Sequence, residues 1–160
     1  MANICVNYVK IFSKSNKKLE KIKSIFENID DLDEIPFYNE LMAIETERQS
    51  ISGSFGTKWI NEVELQPTIS GLNINACSAW SPFDLLCERI TKYFHVKIEI
   101  QFHEYGSDIG GCYRYNSKGI TYKFDSDYMG YMKKYSRNYY NQIKNEMLTY
   151  GNNCRTKNKN

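Results

Sequence analysis

His95-Val96-Lys97-Ile98-Glu99-Ile100-Gln101-Phe102-His103-Glu104 alternates apolar and polar side chains without a fault. Val96, Ile98, Ile100 and Phe102 point one way, and Lys97, Glu99, Gln101 and His103 the other. That period of two is the signature of a strand with one buried face. Such a strand needs a sheet beside it and a layer over its apolar side, so its neighbours decide the architecture. Upstream, Ser81-Pro82-Phe83-Asp84 reads as a helix start, with Ser81 as N-cap and Pro82 at the first helical position. Phe83, Leu86, Ile90 and Phe94 then form an apolar stripe. Before that helix, Leu72, Ile74, Ala76, Ser78 and Trp80 alternate with Asn73, Asn75, Cys77 and Ala79, a second half-buried strand. A turn at Pro67–Gly71 joins it to a third strand at Trp59–Gln66.

The chain opens with a β-branched and aromatic stretch, Ile4–Phe12, again a strand. Ser15 or Asn16 caps a helix carrying Leu19, Ile22, Ile25, Phe26 and Ile29 at helical spacing. A period-free excursion follows, broken by Pro36, with a short helix expected around Leu41–Glu47. Beyond the opening stretch, Tyr105–Gly111 turns the chain into a strand at Cys112–Tyr115, and Asn116–Gly119 turns it into Ile120–Phe124. Ser126 or Asp127 caps a last helix with Tyr128, Met132, Tyr135, Tyr139, Ile143 and Met147 on one face, ending at Gly151. The order β-α-β-β-α-β, then β-β-α, predicts an α+β fold: a ferredoxin-like (split βαβ) antiparallel sheet with an added β-hairpin and a C-terminal helix. Both core helices should cover one sheet face. The domain is expected over residues 1–125, with an acidic excursion at 27–56, an amphipathic helix at 126–150 that packs across the open sheet face, and a basic disordered tail at 151–160.

The 160 residues suit a single domain able to bury a core without staples. No apolar run approaches the ~18 residues of a membrane span, and the N-terminus lacks a signal-peptide h-region. Five cysteines, Cys5, Cys77, Cys87, Cys112 and Cys154, are odd in number and form no CxxC, which favours reduced thiols in a cytoplasm over a disulfide scaffold or zinc ribbon. Net charge is only +2, but it is unevenly spread. Lys10, Lys14, Lys17, Lys18, Lys21 and Lys23 make the start basic, the middle is acidic, and Lys133, Lys134, Arg137 and Lys144 make the end basic.

No phosphate-cradling glycine loop, nucleophile elbow or metal-ligand spacing appears, so neither a metal nor a cofactor is expected. His95 and His103 lie about 26 Å apart at ~3.3 Å per residue, too far to share a metal. With the hairpin centred near Ser107–Asp108, His103 falls opposite Cys112, Gln101 opposite Arg114, and Tyr113 and Tyr115 against Phe102 and Ile100. A Cys–His neighbour pair can supply a thiolate and its base, although an ordinary exposed strand pair is the plainer reading. Ferredoxin-like sheets often stack bases on open-face aromatics, yet Asn73, Asn75 and Cys77 on one strand and Lys97, Glu99, Gln101 and His103 on another offer no such platform.

FGTKWI (55–60), SAWSPFDLL (78–86) and the run from Tyr93 through HEYG to Gly110-Gly111 resemble the YubB-type ferredoxin-like domain of phages, plasmids and other mobile elements. The matching positions are Gly56, Thr57, Lys58 and Trp59, then Ala79, Trp80, Ser81 and Pro82, then Glu104 and Gly106 with a later glycine. Ile60 stands where the family tends to have Asp, and Phe83 where a second Pro is common. The resemblance implies the fold, a mobile-element origin and a bacterial host cytoplasm, and it implies no activity.

The function expected on these grounds is non-enzymatic: a protein that binds and blocks a host defence protein, such as a nuclease, in the manner of anti-CRISPR inhibitors. Its contact residues would be Asp30, Asp31, Asp33, Glu34, Glu40, Glu45 and Glu47, whose charge suits a basic nucleic-acid groove. The alternative is an RNA- or single-stranded-DNA-binding module using Lys14, Lys17, Lys18, Lys21, Lys133, Lys134 and Arg137. The motif residues Lys58, Trp59 and Trp80 are expected to be structural, the two indoles within the core.

Overall fold

The computed structural model describes residues 3–47, 53–138 and 141. Six strands, β1 (Ile4–Phe12), β2 (Ile60–Thr68), β3 (Gly71–Ala79), β4 (Lys97–Glu104), β5 (Ile109–Asn116) and β6 (Gly119–Ser126), form one sheet in the order β2-β3-β1-β4-β5-β6. Every neighbouring pair is antiparallel. Among the described residues they are accompanied by the helices α1 (Asn16–Glu27), α2 (Tyr38–Met42), α3 (Asp84–Phe94) and α4 (Tyr128–Tyr135). None is long and apolar enough to cross a membrane.

The alternation read from the sequence assigns the two sheet faces. Val9 and Ile11 of β1, Leu72, Ile74 and Ala76 of β3, and Ile98 and Ile100 of β4 share the inner face with Ile22, Ile25 and Phe26 of α1 and Leu86, Ile90 and Phe94 of α3. Each fully buried side chain of this size contributes roughly 1.5–3 kcal/mol. Ser15 caps α1 by accepting from the Lys18 amide, and Asp127 caps α4 by accepting from Gly130 at 2.6 Å.

The second core helix starts later than the motif suggests. Ser81 does not cap it; its hydroxyl donates to the Gly56 carbonyl at 2.7 Å, and α3 begins at Asp84. Thr57 donates to the Ala79 carbonyl at 2.8 Å, and the Leu86 amide reaches the Phe55 carbonyl. The two resembling blocks are thus one hydrogen-bonded knot between β3 and α3. Gly56, at φ 90°, is in the left-handed region, and a Cβ there would meet Asp84 Oδ1 at 2.7 Å. The tryptophans lie outside the core. Trp80, at φ 59°, turns out of the strand and is 44% exposed beneath Lys58, and Trp59 is half-buried.

The β4–β5 hairpin is shifted by two residues from the expected register. His103 faces Gly110, Gln101 faces Cys112, and Ile100 and Ile98 face Tyr113 and Tyr115. The cause is a tight four-residue turn. Buried Glu104 accepts from the Gly106 and Ser107 amides, and Asp108 adopts a left-handed φ of 53°. Glu104 and Gly106 therefore hold the turn together. His95 lies outside the strand, as the left-handed cap of α3.

Candidate functional site

Seven acidic residues fall into two groups. Leu32 and Ile35 are buried and pin a short 3-10 turn (Leu32–Glu34), which leaves Asp30, Asp31, Asp33 and Glu34 exposed, without a hydrogen bond or ion pair from their side chains among the described residues. The others lie along a segment fastened to α3 and the β5–β6 turn. Glu40 accepts from the Tyr93 hydroxyl at 2.6 Å, and the Glu45 carbonyl accepts from Lys92. Glu47 donates its amide to Glu88 and accepts from the Ile120 amide at 3.0 Å. Arg89 reaches the carbonyls of Ile44 and Ser54, tying the second half of the excursion to α3. The short helix expected at 41–47 lies at Tyr38–Met42 instead, because residues 44–47 are drawn out by these contacts.

The opposite face of the sheet is half covered. α4 lies over β4, β5 and β6. Tyr128, Tyr131 and Met132 form a small cluster of their own with Met129 and Tyr135. Gly110 makes this approach possible, since a Cβ there would stand 2.4 Å from that of Tyr131. The helix stops at Tyr135, where Ser136 leaves helical geometry at φ −141°. The expected continuation through Tyr139, Ile143 and Met147, and the basic tail, lie outside the described residues.

Next to α4, the described residues leave the outer face of β1 open. Tyr8 and Phe12 are 41% and 44% exposed, about 13 Å apart at ~3.3 Å per residue, with Lys10 between them. The outer faces of β3 and β4 carry Asn73, Asn75, Lys97, Glu99, Gln101 and His103, as read from the sequence. The aromatic positions come from β1, a strand the open-face comparison above leaves out. Period-two alternation from Val9 and Ile11 was the signal that could have found them.

Two cavities flank these rings. One, of about 670 Å³, lies at the Phe12 end between Lys14, Lys18, Lys97, His95 and the fully exposed Ile69. The other, of about 500 Å³, separates Tyr8 from α4 and is lined by Gln101, His103, Tyr131, Tyr135 and Ser136. Tyr8 and His103 lie 6.0 Å apart between ring centroids, and His103 and Tyr131 5.2 Å. Burial holds the His103 imidazole below its ordinary pKa, so it is neutral near pH 7. Glu99 is bound by Arg114 at 2.6 Å and by Gln101 at 2.9 Å.

The predicted basic residues are divided. Lys14 and Lys18 border the Phe12 cavity, and Lys17 is exposed on the same helix. Lys21 lies over Phe37. On α4, Lys134 is held 3.7 Å from the Phe124 ring centre and donates to Tyr122 at 2.7 Å, whereas Lys133 and Arg137 are exposed. The Cys112–His103 pairing does not form. Cys112 is fully buried, and burial raises its thiol away from the thiolate. Among the described residues no cluster of three or more His, Cys, Asp or Glu is placed to hold a metal ion. Family models, curated proteins and solved structures were compared with the chain, and none matches.

Proposed function

We propose that this chain is a non-enzymatic binding protein whose outer sheet face takes single-stranded nucleic acid. The scaffold we assign is ferredoxin-like: β2-β3-β1-β4 with α1 and α3 would be the split βαβ unit, and β5 and β6 an added hairpin. The observation that carries the reading is the pair Tyr8 and Phe12. Two rings stand exposed on a central strand, interleaved with Lys10 and continued by Lys97, Lys14 and Lys18. Exposed rings on a strand contribute little to stability, whereas flat apolar surfaces beside cations suit stacked bases and phosphates.

The test is anisotropy of a labelled single-stranded RNA or DNA oligomer. Binding should weaken linearly in logarithmic plots against salt. Tyr8→Ala and Phe12→Ala should each cost about 1–3 kcal/mol, or roughly five- to 150-fold. Absence of binding at low salt, or binding indifferent to both variants, overturns the proposal.

A second reading retains the inhibitor of a host defence protein, encoded by a mobile element and acting in a bacterial cytoplasm. It is favoured by one observation: Asp30, Asp31, Asp33 and Glu34 project from a turn whose apolar residues are anchored, a preordered acidic surface for a basic partner. Capture of one stoichiometric protein from nuclease-treated host lysate, lost in the D30N/D31N/D33N/E34Q variant, supports this reading. Capture unaffected by those changes removes it.

A further inference from the structure

We infer that the 500 Å³ groove between Tyr8 and α4 is a pocket for one unpaired nucleobase, at one end of the strand path proposed above and resting on that reading. The exposed Tyr8 forms one wall, Tyr131 and Tyr135 of α4 lie on the other side, and His103 packs between them. The remaining polar groups are Gln101 and Ser136. Gln101 gives one amide hydrogen to Glu99, and its amide oxygen accepts nothing among the described residues.

Three ligand chemistries compete for such a groove. A metal ion would need a carboxylate in the lining, and the nearest on β4, Glu99, is already occupied by Arg114 and Gln101. An aliphatic group would leave the Gln101 amide oxygen and the Ser136 hydroxyl facing apolar surface with nothing to pair them. A base has two apolar faces and a polar edge, which matches aromatic walls interrupted by an amide, an imidazole and a hydroxyl. The volume is in the range of small-ligand pockets, too small for a helix. Charge is complementary as well. Lys10 follows Tyr8 on the same strand face, and Lys133 lies three residues before Ser136 on α4, so phosphates on either side of a seated base meet cations.

The experiment uses the full chain and a single-stranded oligomer carrying one 2-aminopurine, read by fluorescence and by anisotropy. Wild type should quench the probe on binding. Ser136→Trp, which fills the groove from its rim, and Gln101→Ala, which removes an edge partner, should abolish most of the quenching and weaken binding about five- to tenfold. The slope of affinity against salt should not change, because neither variant touches a phosphate contact. Matching far-UV circular dichroism melts confirm that both variants fold. Quenching and affinity equal to wild type in both variants overturn the pocket, while a loss of binding in Phe12→Ala keeps the outer-face reading. A wild-type chain that binds no strand overturns both.

Discussion

One strand, β1, serves two surfaces that differ in nearly every physical respect. Its Val9 and Ile11 are 1% and 2% exposed and packed against α1 and α3; its Tyr8 and Phe12, one residue away in each case, are 41% and 44% exposed. The inner face is continuous from β3 to β5 and apolar, aliphatic on β3, β1 and β4 and completed by Tyr113 and Tyr115 of β5 and the phenylalanines of the helices. The outer face is aromatic and cationic on β1, and among the described residues it is covered over half its width by an eight-residue helix with its own small cluster. Burial accounts for the inner residues completely. It does not account for two exposed rings and a lysine at the centre of a sheet, where smaller polar residues would hold a strand as well. That residue is what points to binding.

The largest effects should separate the faces by stability. Ile74→Ala or Ile100→Ala empties a site with no solvent access and should cost about 2–5 kcal/mol in urea unfolding. Phe12→Ala, which removes a half-covered ring, should cost about 1 kcal/mol or less. Comparable losses at Phe12 and Ile100 would break the distinction, and Phe12 would then be core.

A smaller loss is expected where α4 meets the sheet. Gly110→Ala drives a methyl into the Tyr131 side chain, from which a Cβ is 2.4 Å away, and should cost about 1–3 kcal/mol. Hydrogen exchange should localise the change, with faster exchange at the Tyr131 and Ser136 amides and none in α1. Protection of α4 equal to wild type would mean that the helix does not sit where Gly110 meets Tyr131.

The inner face was legible because alternation and helical spacing report burial directly. Ile4–Phe12, the stripes of α1 and α3, and the alternation of β4 all stand where the pattern puts them. Three features were not legible, each for a stated reason. Hairpin register depends on turn geometry, and the Glu104 carboxylate gripping two amides moved it by two residues while leaving every side chain on its expected face. The start of α3 depends on where Ser81 donates, and its partner Gly56 is 25 residues away. Trp80 follows the alternation until a left-handed φ throws it outward. At the candidate site, Gln101 and His103 were on the correct face from sequence alone. Their meeting with Tyr8 needed the pairing of β1 with β4, which spacing does not encode.

The acidic excursion offers a third contrast, between carboxylates that hold the fold and those that do not. Glu47→Ala removes the acceptor of the Ile120 amide and should cost about 1 kcal/mol. Asp33→Ala, on the exposed turn, should cost less than half of that. Equal values by denaturant titration would put Glu47 among the free acidic residues and widen the surface available to a partner.

The smallest expected effect tests the covered half of the outer face through pH. His103 is packed by Tyr8, Tyr128 and Tyr131, and burial lowers its pKa below the ~6.5 of an unfolded histidine. Between the two values the unfolded chain carries a proton that the folded chain does not. Stability is therefore complete above about pH 6.5 and falls as pH drops through the window below it. His103→Gln removes this contribution, so the difference between the two thermal midpoints should change between pH 7.5 and 5.5, with wild type losing more. Parallel profiles would show that the imidazole is solvated in the folded chain. α4 would then not cover it, the groove beside Tyr8 would lose its inner wall, and the outer face would be open across all six strands.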